Sequence, residues 1–114
     1  MNIIDKYQFG RIIINGLSYH NDIIIFPDYL QQNWWREEGH LLKINDLTSI
    51  IDYQPDTFII GTGMFGLMKI EYALVEKLKD LKIKNIMVEK TMRACELFNK
   101  ETSPRKTAAL HLTC

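Results

Sequence analysis

Thr57-Phe58-Ile59-Ile60-Gly61-Thr62-Gly63-Met64-Phe65-Gly66 begins as a short apolar strand and breaks into glycines. The residues beyond that break decide the fold. Ile70, Leu74, Leu78 and Leu81 recur at i, i+4, i+8 and i+11, with Lys77, Lys79 and Lys82 on the outer face, so the spacing predicts an amphipathic helix over 70–82. Asn85-Ile86-Met87-Val88 reads as a second buried strand. A strand, a helix and a strand in that order form a β-α-β unit, with parallel strands and a right-handed crossover. Thr91 is the expected N-cap of a further helix to about Lys100, with Ala94, Leu97 and Phe98 inward. Ser103-Pro104 ends it. Lys106 to Thr113 then alternates as a last strand, with Ala108, Leu110 and Leu112 on one face.

Upstream the period is two rather than 3.6. Phe9 to Ile14 is rich in β-branched residues and stops at Asn15-Gly16, a strong hairpin signal because both positions tolerate positive φ. Leu17 to His20 returns, Asn21-Asp22 turns again, and Ile23 to Phe26 runs up to Pro27. This is an antiparallel meander. Asp28 to Lys43 has no clear period and reads as a short strand around Trp34-Trp35 followed by a loop. Asn45 or Asp46 can cap a short helix through about Tyr53. The expected fold is therefore α/β, one domain over residues 1–114. An N-terminal antiparallel β-meander joins a β-α-β-α-β unit in a mixed sheet with helices on one face. The meander either extends that sheet or packs a second sheet on it.

Composition narrows the function classes. Fourteen basic and fourteen acidic side chains cancel, which argues against a general nucleic-acid binder held by phosphate neutralisation. The longest purely apolar run is Ile23-Ile24-Ile25-Phe26, far short of the ~20 residues that would span a bilayer, so no membrane insertion is expected. Residues 1–56 carry four basic against eight acidic side chains, and residues 57–114 carry ten against six. That polarity suits head-to-tail association or an oriented partner, although a scatter of solvated surface charges is the simpler account. The opening Met1-Asn2-Ile3-Ile4-Asp5-Lys6 has no apolar or Arg-rich leader character, and a chain with only Cys95 and Cys114 is expected to be reduced and cytoplasmic. No C-x-x-C is present, and His20, His40 and His111 show no ligand spacing with either thiol, so no metal site is expected.

Gly61-Thr62-Gly63-Met64-Phe65-Gly66 also matches G-x-G-x-x-G, with Glu89 at the end of the next strand where a dinucleotide site places its ribose acid. Two points oppose that reading. The helical period starts only near Ile70, whereas a pyrophosphate needs free N–H groups at a helix start directly after the glycines. A single β-α-β unit also covers only half a dinucleotide, so no cofactor is expected. A turn needed for sharp chain reversal and a nest for a small anion or ligand both remain open. Trp34-Trp35-Arg36 is the second unusual stretch. Adjacent aromatics in a strand face opposite ways, so one anchors the core and the other lies near the surface. Arg36 could aim its guanidinium at an anion held by the glycine turn. Alternatively, Trp35 is core and Arg36 pairs with Glu37 or Glu38. The candidate ligand-binding residues are therefore Arg36, Gly61, Thr62, Gly63, Met64 and Thr91. His111, on an edge-type strand, reads as a structural histidine with no Ser, Cys or carboxylate spaced to partner it, so no catalytic residue is assigned.

The ordered motifs together resemble a known family. They are Gly10-Arg11, Gly16, Phe26-Pro27, Trp35-Arg36-Glu37 with Gly39 and His40, and Gly61-x-Gly63-Met64. Thr91-x-x-Ala94 with Phe98-Asn99 and the closing Ala108-Ala109-Leu110-His111-Leu112-Thr113-Cys114 complete the set. Over about residues 8 to 114 the chain resembles the small α/β family of unknown biochemical activity that includes the adipogenesis-associated Mth-type domain protein and the mitochondrial complex I assembly factor of the same fold. The resemblance implies a mixed β/α sheet, no established catalytic residues, and a role as an assembly or regulatory partner of other proteins. It points first to a non-catalytic interaction module with an unidentified protein partner, and a homodimer fits the charge polarity. The alternative is a small-ligand or anion-binding domain built on the Gly61-Thr62-Gly63 turn, serving an unrecognised enzyme or none.

Overall fold

The computed structural model describes all 114 residues. Ten strands and three α-helices run in the order β1 (Ile4–Gln8), β2 (Arg11–Ile14), β3 (Leu17–Tyr19), β4 (Ile23–Ile25), β5 (Leu30–Gln31), β6 (Leu41–Leu42), α1 (Thr48–Tyr53), β7 (Thr57–Thr62), β8 (Lys69–Ile70), α2 (Leu74–Asp80), β9 (Asn85–Glu89), α3 (Thr91–Lys100) and β10 (Lys106–His111). The main sheet has the order β5-β4-β10-β7-β9, with β10, β7 and β9 parallel, β4 antiparallel to β10, and β5 antiparallel to β4. A second sheet holds β1-β2-β3, and β6 pairs with β8 in a two-stranded parallel ladder. The protein is thus an α/β domain in which a meander sheet accompanies a mixed sheet flanked by three helices.

The meander does both things the sequence allowed. Its first three strands make the separate sheet, while Ile23–Ile25 crosses into the main sheet against β10. The strand Ile4–Gln8 lacks the apolar alternation that would announce it. Only Ile4 and Tyr7 are buried. Its free edge is blunted by Asn99 of α3, whose Oδ1 accepts the Ile4 amide at 3.0 Å and whose Nδ2 donates to the Ile4 carbonyl at 2.8 Å.

Helices lie on both faces of the main sheet, not on one. Two connections explain why. The chain steps from β7 outward to its neighbour β9 through α2, and then back past β7 to β10 through α3. Two crossovers of the same hand that step in opposite directions must put their helices on opposite faces. Accordingly Leu74 and Leu78 of α2, with Ile50 of α1, pack on Phe58, Ile60 and Ala109. Ala94, Cys95 and Phe98 of α3 pack on Ile59, Ala108 and Leu110, sharing that face with Ile4, Tyr7, Ile12 and Ile14 of the meander sheet. The alternation of β10 therefore feeds two cores.

Some boundaries shift from the sequence reading. The predicted 70–82 helix is reduced to Leu74–Asp80, because Lys69–Ile70 extends to pair with β6 and Ala73 takes φ 62°. The strand expected around the tryptophans is instead Leu30–Gln31, which leaves Trp34 and Trp35 in a loop. Thr91 is the first residue of α3 rather than its cap. Asp46 lies in a 3-10 turn ahead of α1, where its carboxylate accepts the Lys43 amide at 2.9 Å.

Candidate functional site

Three side chains from remote segments meet where β10 ends. His111 is the last residue of β10, Asp22 lies in the turn before β4, and Arg36 comes from the loop between β5 and β6. Because β10 pairs with β4 on one side and β7 on the other, His111 sits on a central strand rather than an edge. Its Nδ1 lies 2.7 Å from Asp22 Oδ2, so we assign the ring proton to Nδ1, donated to the carboxylate. Asp22 Oδ1 accepts the Leu112 amide at 2.8 Å. Arg36 Nη1 approaches Asp22 Oδ2 at 2.8 Å, and Nη2 donates to the Gly39 carbonyl at 2.8 Å. The 3.1 Å separation of Arg36 Nη2 from His111 Nδ1 is then a contact between two donors and not a hydrogen bond.

The loop that presents Arg36 is anchored from below. Trp34 is buried, its amide donates to the Asp22 carbonyl at 2.8 Å, and its indole Nε1 donates to the Asp46 carbonyl at 3.0 Å. The Arg36 guanidinium stands 4.7 Å over the Trp34 ring. The sequence reading that put Trp35 in the core and paired Arg36 with Glu37 or Glu38 is overturned. Trp35 is 77% exposed, and both glutamates bind Lys43 instead, at 2.8 and 2.7 Å. That pairing holds Glu37 below the usual carboxylate range and Lys43 above the usual amine range. Burial by itself would raise the Asp22 carboxyl. Hydrogen bonds from His111 and the Leu112 amide, with the close charge of Arg36, outweigh it and hold the group below its ordinary value.

The glycine turn adjoins this cluster. A Cβ on Gly63, which has φ 104°, would collide with the carbonyl group of Cys114 and come within 2.9 Å of His111 Cδ2. Only glycine fits there. Gly61 lies inside β7, where a Cβ would meet Leu110 and Thr91 Oγ1 at 2.8 Å each, so its bareness admits the start of α3. Thr91 ties the parts together. Its hydroxyl accepts the Gly63 amide at 2.8 Å and donates to the His111 carbonyl at 2.6 Å. Thr62 Oγ1 donates to the Glu89 carbonyl at 3.2 Å.

The amides of the turn are engaged within the chain. The Met64 and Leu67 amides donate to the carbonyls of Thr113 and Cys114 at 2.7 and 2.9 Å, Gly66 to Gly63, and Met68 to Thr62. Thr113 and Cys114 thus occupy the turn much as a bound peptide would. The third glycine of the motif lies well before α2, so the helix that follows the glycines does not start at the turn, and the dinucleotide geometry is not met. Of the six candidate residues, Gly61, Thr62, Gly63, Met64 and Thr91 form one bonded unit around residues 111–114. Arg36 joins it through Asp22, which holds His111 and the Leu112 amide.

Sequence reasoning missed Asp22, which lies 89 residues from His111. The one local signal was Asn21-Asp22 at a turn, which reads as turn chemistry. Beside the cluster lies a cleft of about 310 Å³ lined by His20, Asn21, Trp35, Arg36, His111 and Thr113 among others. A larger cavity of about 700 Å³ lies at the opposite end of β10, next to Lys106. There Lys106 Nζ donates to the Phe98 and Glu101 carbonyls, closing the last turn of α3. Burial lowers its pKa, partly offset by Glu101. That amine is a helix cap, and the polar chemistry sits at the smaller cleft.

A family model described as a protein of unknown function (DUF498/DUF598) matches residues 4–113. The fold is similar to a conserved hypothetical protein from Pyrococcus horikoshii OT3, at 22% identity and TM-score 0.80, covering 97% of this chain and 98% of that one. It is also similar to a protein described as an outer membrane protein from Bartonella henselae, at 22% identity and TM-score 0.80, covering 99% and 96%. A protein from Bordetella parapertussis matches at 20% identity and TM-score 0.67, covering 98% and 96%. No curated protein matches the chain. At these identities the likenesses speak for the fold alone. No helix is long and apolar enough to cross a membrane.

Proposed function

Because this chain belongs to the DUF498/DUF598 family of proteins of unknown function, we propose its role from the surface that the fold exposes: a non-catalytic interaction module of the assembly-factor kind, docking another protein through an aromatic face. The carrying observation is the pairing of two phenylalanines outside the core. Phe9, in the turn between β1 and β2, and Phe65, in the loop after β7, have ring centroids 6.1 Å apart while remaining 50% and 61% exposed. Leu67, also half-exposed, comes next in the same loop. Isolated surface hydrophobes are ordinary, but two aromatics brought together from distant loops form a patch that a partner can cover. Because each ring is already about half covered, completing its burial contributes about 1 kcal/mol.

The patch is held on a rigid base. Met64 and Leu67, on either side of Phe65, are bonded through their amides to residues 113 and 114, and the Gly10 amide beside Phe9 donates to the Leu112 carbonyl at 2.8 Å. Little ordering remains to be done on docking, which favours affinity. A photoreactive phenylalanine analogue in place of Phe65, compared with one at exposed Lys79 on α2, tests the reading in cells. The expected result is a discrete crosslinked species of fixed mass from position 65 only, lost when Phe9→Ser is added. A second copy of this chain in that species would identify the partner as a homodimer. Equal crosslinking from both positions, or none from position 65, defeats the reading.

A further inference from the structure

The cleft beside Arg36 contains an unfinished hydrogen-bonding set. Arg36 is 8% exposed and His111 5%, and both form its wall. Arg36 Nε is a buried donor without a partner, Arg36 Nη1 makes a charge contact with Asp22 that is not aligned as a hydrogen bond, and His111 Nε2, an acceptor because the ring proton is on Nδ1, stands unpartnered beside them. Buried polar atoms are ordinarily paired, and leaving a buried cation's N–H groups unused is costly. A buried ion pair is weak ground for stability, since an apolar replacement of similar size often serves as well, whereas removal of one partner is costly. Trp35, by contrast, projects into solvent from the same cleft.

The geometry points to a binding site for a monocarboxylate carrying a flat apolar group, the carboxylate received by Arg36 and the flat group by the Trp35 ring. The planar fork of N–H groups suits a carboxylate. Asp22 already neutralises one unit of charge at Arg36. A phosphate dianion would therefore leave the cleft two negative charges in excess, whereas a monoanion leaves one. A volume of about 310 Å³ holds a carboxylate and one ring, not a nucleotide. The exposed indole supplies a face for offset stacking. This site uses none of the side chains of the Phe9–Phe65 patch, so either assignment can fail without the other.

The probe is benzoate, with neutral benzamide as its matched control, followed through the Arg36 Nε–H resonance in ¹H–¹⁵N spectra. Saturable movement of that resonance with benzoate and none with benzamide is expected. Trp35→Ala removes only an exposed side chain and leaves the backbone spectrum intact. It is expected to weaken benzoate about fivefold, the equivalent of about 1 kcal/mol of stacking. A peptide containing Asp beside Phe distinguishes the two sources of the same chemistry. Tighter binding than benzoate identifies a polypeptide carboxylate, and weaker binding a free small molecule. The site is overturned if benzoate fails to move Arg36 at concentrations on the order of 50 mM, a Kd too weak for any specific site. It is overturned equally if benzamide acts as benzoate does, or if Trp35→Ala binds benzoate unchanged.

Discussion

Asp22 does more at its position than any other single side chain. One carboxylate accepts from the Leu112 amide and from His111 Nδ1, and it neutralises Arg36. Asp22→Asn keeps the size and removes the charge, leaving the Arg36 guanidinium buried without its counter-ion. Removing one partner of a buried pair costs about 3–5 kcal/mol, and the partial solvent contact of Asp22 places this one near the lower bound, about 3 kcal/mol. The carboxyl's depressed pKa fixes the sign of the pH effect. Its stabilisation is fully present above the unfolded value of about 4 and is lost as pH falls from there toward the folded value. Urea midpoints measured between pH 7 and pH 3 should decline on the acid side for the native chain and decline less for Asp22→Asn. Glu37 is also depressed but is present in both proteins, so the difference between the two curves isolates Asp22. Parallel curves would remove Asp22 from this role.

At the scale of elements, Asn99 of α3 acts as a substitute strand, satisfying both the amide and the carbonyl of Ile4 on the free edge of β1. Asn99→Ala should cost about 1–2 kcal/mol, since two backbone groups lose their partner. The loss should appear as faster amide exchange at Ile4 while β10 stays protected. Uniform acceleration across both sheets would mean that β1 does not open by itself. This contact also shows where sequence reading runs out. Strand β10 and helix α3 were legible because each repeats one period over its whole length, and β7 and β9 because each is a short apolar run, although β9, read as buried, is a half-exposed edge strand. Ile4–Gln8 was not, because only two of its side chains enter the core beside α3 and the rest is polar. The 70–82 period was real but overextended. Ile70 is recruited by β6, and Leu81 lies past the end of α2 and is 41% exposed. In the candidate site, local spacing singled out the glycine turn and Arg36. The partner of His111 was invisible, because Asp22 reaches it only through the antiparallel pairing of β4 with β10.

Across the whole molecule, the main sheet separates two apolar layers, and Cys95 lies in the layer between that sheet and α3. Burial, with a smaller contribution from the neighbouring charge of Glu96, pushes the Cys95 thiol up to about 12. Tyr7 in the same layer is likewise pushed up to about 12, mainly by burial, and its hydroxyl donates to the Leu112 carbonyl at 2.8 Å. A thiol that is both covered and protonated does not react with disulfide reagents in the native state. Cys114 is only partly covered and serves as the internal contrast. In a Cys114→Ser background, Cys95 should therefore label only through opening of the layer itself, and its rate should report the stability of the whole fold. Since α3 touches β7, β10 and the meander together, that opening should be global. Adding Asp22→Asn, which lies outside the layer, should then accelerate Cys95 labelling by the factor its equilibrium destabilisation predicts, on the order of a hundredfold for about 3 kcal/mol. An unchanged labelling rate would mean that α3 lifts off the sheet independently, and the two layers would be separate cooperative units rather than one.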